Sequence, residues 1–237
     1  MSTELPPVIA IDGPSGSGKG TVASGAAEAL GWHLLDSGAL YRILAHVSQQ
    51  AGVSADTPAR LEALARGLRV DFVRTSTGAE QILLDGRDVT TVVRSEESGK
   101  RASELAVIPQ VRQGLVGVQR SFRRTPGLVA DGRDMGTVIF PDAGLKIFLT
   151  ASVEERVQRR YNQLKQKGLN ATLPALFRDL IARDERDRNR SVSPLKAAPD
   201  AVVLDTTGMP VAAVVDQVLD RARRRYGEAA AGRRQGG

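Results

Sequence analysis

Short apolar runs alternate along the chain with longer segments of helical periodicity. The runs lack the polar alternation of a half-exposed strand, which is typical of strands buried on both faces of a parallel sheet. The apolar runs are residues 8–11, 33–35, 128–130, 147–149 and 202–204, and the helical segments are residues 20–30, 109–124, 152–167, 173–186 and 211–226. This alternation predicts an α/β fold in which parallel strands are flanked by helices.

One stretch breaks the alternation. Residues 68–74 and 80–84 are strand-like on either side of a polar turn at 75–78, and Asp85-Gly86 allows a second tight turn before residues 89–93. We therefore predict a small antiparallel sheet, inserted into the α/β core.

Composition limits the metal ligands that the chain can offer. The 237 residues include no cysteine and two histidines, His33 and His46, so any metal must use oxygen ligands.

The net charge is +6, and arginines of the C-terminal segment supply much of it. Residues 227–237 are rich in Gly, Ala, Arg and Gln, which predicts a disordered basic tail. No apolar run approaches the roughly 20 residues of a membrane span, so we expect a cytoplasmic protein.

The strongest chemical signal is a glycine-rich segment between the first apolar run and the first helical segment. It consists of Gly13, Pro14, Ser15, Gly16, Ser17, Gly18, Lys19, Gly20 and Thr21. Such a loop turns backbone N–H groups and a helix N-terminus toward a polyphosphate, and Lys19 reaches the β and γ oxygens. We predict ATP or GTP binding here, in preference to a glycine-rich turn without function.

The hydroxyl that usually follows the loop lysine is displaced by one position. Gly20 occupies that place and Thr21 comes next. We therefore expect no metal ligand from the protein itself, with Mg²⁺ bound together with ATP, largely through phosphates and waters.

Three further motifs occur in residues 34–42, 130–138 and 183–190. Together with the loop they resemble bacterial cytidylate kinases, which belong to the nucleoside-monophosphate kinases of the P-loop class, over residues 8–226. The resemblance implies transfer of the γ-phosphoryl group of ATP to CMP or dCMP. We expect a monomeric enzyme whose partners are small nucleotides, with no membrane and no specific nucleic acid.

The same resemblance implies a division into domains. The P-loop core with its five-stranded parallel sheet would comprise residues 1–36 and 105–226, with a short lid at about 152–168. The inserted domain that binds the nucleoside monophosphate, and contains the antiparallel sheet, would comprise residues 37–104.

The resemblance also assigns site residues. Lys19, Arg133, Arg183 and Arg190 would be catalytic, and Arg156 or Arg160 of the lid would close over the donor together with the loop. The acceptor would be bound by Ser37, Arg42, Ser103, Arg112, Asp131, Arg133, Asp134, Arg183, Asp187 and Arg190. Among these, Arg42 and Arg133 would hold the acceptor phosphate, Ser103, Arg112 and Asp134 would recognise cytosine, and Arg183 and Asp187 would contact the sugar.

Chemistry alone supports part of this set. Arginines are suited to neutralising several phosphates held close together, and positions 183, 187 and 190 share one helical face. Each residue also has a simpler interpretation, as an exposed ion pair, a charged helix face or, for Ser103, a helix-surface serine.

Two alternatives to the CMP assignment stay open at this point. The same fold could phosphorylate UMP, another nucleoside monophosphate or a small hydroxyl metabolite. A nucleic-acid-binding or switch NTPase would account for the basic tail, but the few scattered aromatic residues and the missing guanine-recognition motif disfavour it.

Overall fold

The computed structural model describes residues 5–75, 78–166 and 168–227. The chain divides into two compact units: unit 1 is formed by Met1–Leu34 and Arg123–Gly237, and unit 2 by Leu35–Phe122. The predicted insert, 37–104, lies within unit 2, which extends further and also includes the helix after it. The predicted tail begins at Gly227, and its remainder lies outside the described residues.

Unit 1 is built on a parallel sheet, and the described residues contribute five strands to it. These strands are β1 (Val8–Asp12), β2 (His33–Asp36), β6 (Leu128–Gly132), β7 (Leu145–Thr150) and β8 (Val202–Asp205), in the order β2-β6-β1-β7-β8. All five residues of β1 are buried, and β1 pairs in parallel with β6 on one side and β7 on the other. The predicted parallel α/β sheet is confirmed. Strand β1, and the loop that follows it, therefore lie at the centre.

The described residues of unit 1 form four helices, namely α1 (Lys19–Leu30), α7 (Val153–Gln166), α8 (Leu173–Arg188) and α9 (Val211–Tyr226), together with a single π-helical turn at Met135–Ile139. Helices α1 and α9 pack on the sheet, and α7 packs on α8. Helix α9 closes the core against α1, because the Tyr226 hydroxyl donates to the Val8 carbonyl at 2.7 Å and its ring packs on Trp32 at 5.5 Å. Gly127 makes this packing possible, since a Cβ there would lie 2.4 Å from the Trp32 ring.

Unit 2 contains its own small core of helices and an antiparallel sheet. The helices are α2 (Ser37–Gln50), α3 (Pro58–Arg66), α4 (Thr90–Val93), α5 (Glu96–Leu105) and α6 (Pro109–Ser121), and the strands are β3 (Val70–Arg74), β4 (Glu80–Leu84) and β5 (Arg87–Asp88). Asp36 caps α2 by accepting from the Ala39 N–H at 3.0 Å. Helix α6 packs closely on α3, where a Cβ at Gly114 would lie 2.8 Å from Ala65.

The antiparallel insert is confirmed, but the position predicted for its third strand, residues 89–93, was wrong. Strand β5 ends at Asp88, and residues 90–93 form α4 instead of continuing the strand. The Asp88 carboxylate accepts from the Thr90 N–H at 2.8 Å, and the Thr90 hydroxyl accepts from the Ile82 N–H at 2.8 Å. The Thr90 hydroxyl thus replaces the backbone carbonyl that would continue the pairing with β4, so the strand stops and a helical turn begins.

Candidate active site

The glycine-rich loop joins β1 to α1. At Gly13 the backbone passes so close to Leu149 that a Cβ would lie 2.2 Å from the Leu149 carbonyl oxygen, so only glycine fits. Ser17 is 1% exposed, and its hydroxyl has no hydrogen-bond partner among the described residues. A buried hydroxyl without a partner is costly unless a ligand satisfies it. The loop therefore offers Ser17, the N-terminus of α1 and its backbone to an anion.

Lys19 is the first residue of α1, and its Nζ donates to the Pro14 carbonyl at 3.2 Å. Burial lowers the pKa of Lys19 to about 8; repulsion by Arg133 acts in the same direction, and attraction by Asp131 opposes it. A bound phosphate would raise this pKa again, because it supplies the negative charge that the buried ammonium group needs.

Asp187, near the end of α8, holds two arginines. Arg133 Nε donates to its Oδ2 at 2.8 Å, and Arg190 Nη2 donates to its Oδ1. Asp187 is 1% exposed, and burial alone would raise the pKa of its carboxyl group. The neighbouring guanidinium charges outweigh burial and hold the pKa of Asp187 below its ordinary value. One ionised carboxylate thus fixes two cations of unit 1.

Arg183 belongs to the same cluster. It lies close enough to Lys19 to lower the lysine pKa, and close enough to Asp187 to lower the aspartate pKa. Arg190 was expected on the helical face of 183 and 187, but α8 ends at Arg188, so Arg190 reaches Asp187 from just beyond the helix. The structure therefore brings together five residues singled out from the sequence, namely Lys19, Arg133, Arg183, Asp187 and Arg190.

Asp12 is a site residue that sequence reasoning missed. It ends β1, is 4% exposed, and accepts the backbone N–H groups of Met135 and Gly136, each at 2.8 Å. Burial raises the pKa of Asp12 to about 6, although these two amides lower it. Strand β1 pairs with β6 so that Asp12 lies opposite Gly132. Asp12 therefore lies beside the 132–136 segment. A register prediction for the two strands would have found it.

Asp131 and Asp134 lie at this same edge of the sheet, and both are buried. The Asp131 Oδ2 would be 3.1 Å from a Cβ at Gly20, so this carboxylate stands beside the start of α1. Within the three described ranges, no group of three or more His, Asp or Glu side chains could hold a metal. A carboxylate oxygen beside a phosphate loop still fits Mg²⁺, which usually combines one or two carboxylates with substrate phosphates and waters.

Helix α7 carries three arginines. The predicted lid residue Arg156 is 2% exposed, and its Nη1 donates to the Ser15 carbonyl at 3.0 Å. Arg160 donates to the Gln163 side chain at 3.2 Å. Sequence reasoning missed Arg159, whose Nη1 donates to the Ser17 carbonyl at 3.3 Å. Its spacing of three from Arg156, which puts both on one helical face, was the available signal.

The remaining predicted residues lie in unit 2. Arg42 Nη1 donates to the carbonyls of Val93 and Ser95 at 3.1 and 3.2 Å, which fixes its guanidinium group. Ser37, at the start of α2, is 5% exposed.

Ser103 and Arg112 are both buried in unit 2. Ser103 is 5% exposed, which rules out a helix-surface serine, and its Oγ has no hydrogen-bond partner among the described residues. Arg112 Nη1 donates to the Ala106 carbonyl at 3.2 Å, and its guanidinium carbon lies 5.8 Å from the centre of the Tyr41 ring. A buried hydroxyl and a buried guanidinium are suited to a polar ligand such as a nucleobase.

No helix in the described part of the chain is long and apolar enough to cross a membrane.

Comparisons with known proteins show which family the chain resembles. The sequence pattern of cytidylate kinases matches residues 9–224. The chain is 51% identical to the cytidylate kinase of Aeromonas salmonicida (strain A449) over 228 residues, which cover 96% of this chain and 99% of that protein. It is 56% identical to the cytidylate kinase of Pseudomonas putida (strain W619) over 218 residues, which cover 92% of this chain and 94% of that protein.

Proposed function

The chain belongs to the cytidylate kinase family, and from that premise we propose that it transfers the γ-phosphoryl group of ATP to CMP or dCMP. The products are ADP and CDP or dCDP. The observation that carries this proposal in the structure is the cluster of Lys19, Arg133, Arg183 and Arg190 around one buried carboxylate, Asp187. The four cations outnumber the nearby carboxylates of Asp187 and Asp131, and Asp184 is paired with Arg156. This excess of positive charge is suited to a ligand that brings several phosphate charges.

The donor is bound by the loop. Its backbone N–H groups and the Ser17 hydroxyl bind the phosphates, and Lys19 leaves the Pro14 carbonyl to bind the β and γ oxygens. The transferred group passes through a loose transition state whose charge lies on its equatorial oxygens. Lys19, Arg133, Arg183 and Arg190 stabilise that charge, and no covalent enzyme intermediate is needed.

Mg²⁺, bound together with ATP, would neutralise phosphate charge. We assign Asp131 to its coordinated waters, because this carboxylate lies beside the start of α1. The exposed Thr21 stands one position after the usual hydroxyl ligand, which supports a metal held mainly by phosphates and waters.

The acceptor needs recognition of both its phosphate and its base. In unit 2, Arg42 is held ready by two carbonyls, and we assign it, like Arg133 of unit 1, to the acceptor phosphate. The unsatisfied Ser103 hydroxyl and the Arg112 guanidinium are assigned to cytosine, whose N3 and O2 accept hydrogen bonds. The Asp134 carboxylate is assigned to the exocyclic amine, and Asp187 to the sugar.

An acceptor panel tests this function. ADP release is measured with CMP, dCMP, UMP, AMP and GMP at saturating ATP and magnesium. We expect CMP and dCMP to be the preferred acceptors. Preference for UMP or a purine nucleotide would contradict the assignment to cytosine, and release that needs no nucleotide acceptor would contradict the kinase assignment.

We further propose a cytoplasmic monomer without specific nucleic-acid binding. Sedimentation of the purified protein at its working concentration tests the monomer. RNA retention at rising salt, compared between the full chain and a chain ending at Tyr226, tests the basic segment; salt-sensitive retention by the full chain alone would contradict the proposal.

A further inference from the structure

The outer side of the phosphate loop is packed against helix α7. The Arg156 guanidinium donates from Nε to the Ala151 carbonyl at 3.1 Å and from Nη1 to the Ser15 carbonyl at 3.0 Å. The missing side chain of Gly16 allows this approach, because a Cβ there would lie 3.1 Å from the Arg156 Cβ. Gly16 also has a φ of +77°, which other residues rarely adopt.

Arg159 makes the second contact, one turn further along α7. Its Nη1 donates to the Ser17 carbonyl at 3.3 Å and to the Thr206 hydroxyl at 3.1 Å, and its Nη2 donates to the Thr206 carbonyl at 2.6 Å. The Thr206 hydroxyl itself lies 3.3 Å from the Ser17 carbonyl. The loop carbonyls at 15 and 17 thus both accept hydrogen bonds from α7.

These contacts fix the direction of two peptide groups. In a planar trans peptide the N–H points opposite to the C=O. With the Ser15 carbonyl turned toward Arg156, the N–H of Gly16 points away from α7. With the Ser17 carbonyl turned toward Arg159, the N–H of Gly18 points away from α7 as well.

We propose that Arg156 and Arg159 are positioning residues for ATP binding, which hold the loop carbonyls so that the N–H groups of Gly16 and Gly18 face the donor phosphates. This inference rests on the proposed function, in which the loop binds ATP. It gives Arg156 a role different from the direct donor contact predicted for the lid. Each arginine acts through the backbone and not through its own charge on a phosphate.

The charges of both arginines are balanced within the protein. Arg156 Nη2 pairs with Asp184 Oδ2 at 2.7 Å, and the two side chains are 2% and 5% exposed. Arg159 Nε pairs with Glu155 Oε1 at 2.8 Å. Because each guanidinium already has a carboxylate partner and a carbonyl partner, neither needs a phosphate to satisfy it.

Two substitutions of Arg159 separate backbone positioning from a charge effect. Lysine keeps the positive charge but loses the planar fork that bridges Glu155, Ser17 and Thr206, whereas methionine loses both. We expect Arg159→Lys and Arg159→Met to weaken ATP binding to a similar extent, about tenfold, in calorimetric titration with magnesium. CMP binding should change less than about twofold.

Arg123 provides a matched control. It also bonds a carbonyl and a carboxylate, donating to Pro6 at 2.7 Å and to Asp142 at 2.6 Å, but these partners lie outside the loop. Arg123→Lys and Arg123→Met should leave ATP affinity unchanged, with thermal midpoints similar to those of the Arg159 variants.

The double variant Arg156→Met/Asp184→Asn tests the buried pair. Both charges are removed together, so no buried ion is left without its partner. The Ser15 carbonyl then loses its donor, and we expect a loss of ATP affinity similar to that of the Arg159 variants.

The ATP titrations decide the proposal. If Arg159→Lys binds ATP with wild-type affinity while Arg159→Met loses affinity, the proposal is overturned, because a positive charge at this position would then be enough for ATP binding. Wild-type affinity in the Arg159 variants and the double variant, or a loss equal to that of the Arg123 controls, would also overturn it. If the wild type binds ATP but does not phosphorylate CMP, the proposed function fails, while these titrations still test the positioning of the loop.

Discussion

Two buried aspartates of unit 1, one ending β1 and one near the end of α8, have opposite electrostatic behaviour. Asp12 is 4% exposed and accepts two backbone N–H groups, and its pKa is raised to about 6. Asp187 is 1% exposed and accepts from two guanidinium groups, and its pKa is lowered. At Asp12 the two neutral donors do not offset burial and the nearby Asp134 charge, whereas at Asp187 the cationic donors outweigh burial. The two regions therefore differ in what their carboxylates can do.

Asp187 and its partner Arg133 keep their charges at every pH near neutrality, because each stabilises the charged form of the other. The region around Asp12 uses a carboxylate to fix backbone direction in the 132–136 segment, which carries Arg133 and Asp134. The four changes below test this difference, in order of the expected effect.

Removal of Lys19 should have the largest effect, because it takes a mobile cation out of the charged region. We expect Lys19→Ala to lower kcat by about a thousandfold or more with an unchanged thermal midpoint, measured by coupled ADP release. Lys165→Ala, at an exposed lysine of α7, is the control. Near-normal turnover in Lys19→Ala would contradict the assignment of the loop.

Asp187→Asn should come second. The amide has one acceptor oxygen, so only one of Arg133 and Arg190 keeps its partner. We expect kcat/KM for CMP to fall about a hundredfold, consistent with breaking a buried ion pair, and the KM for ATP to change much less. The CMP and dCMP losses should differ if the carboxylate binds the sugar. Equal losses for donor and acceptor would place Asp187 elsewhere.

Asp134→Ala tests base discrimination beside Asp12. A carboxylate that binds the cytosine amine faces a carbonyl when uracil enters, a mismatch of about 1–3 kcal/mol. The CMP/UMP ratio of kcat/KM should therefore fall about tenfold or more, mainly through lost CMP activity. An unchanged ratio would show that other residues discriminate the base.

The smallest effect, on stability, should have opposite signs at the two aspartates. Asp12 has a folded pKa above its unfolded value of 3.8, so its contribution to stability falls as pH rises from about 4 to 6. The Asp187 contribution is present above the unfolded pKa and is lost as pH falls through the lower folded pKa. Denaturant unfolding of wild type, Asp12→Asn and Asp187→Asn is measured from pH 3 to 7. The difference in unfolding free energy between wild type and each variant gives the contribution of that aspartate. If the two differences change with pH in the same direction, the comparison is contradicted.

The sequence allowed prediction of features that depend on neighbouring residues. The loop was recognised because its glycines and Lys19 are contiguous, and the parallel strands because their apolar runs are local. The cytosine and phosphate assignments came from resemblance to a family, and they stay predictions.

Contacts between distant residues were not predictable in this way. Arg133 and Asp187 are 54 positions apart and meet only because α8 returns to the end of β6. Asp12 was missed since its partners are backbone amides, which carry no residue-specific signal. The third strand of the insert was predicted too late in the chain because Thr90, a good strand residue by propensity, uses its hydroxyl to end the ladder.

The central position of β1 has a consequence for the synthesis of the chain. Val8 is made well before its neighbours in the sheet, which are Leu128 on β6 and, beside Ile9, Leu145 on β7. At translation rates of about 5–20 residues per second, the strand waits on the order of ten seconds for partners. During that interval a mostly apolar strand with both edges open is exposed to chaperones and to other nascent chains. The helices and strands of unit 2, all encoded in between, have time to fold first.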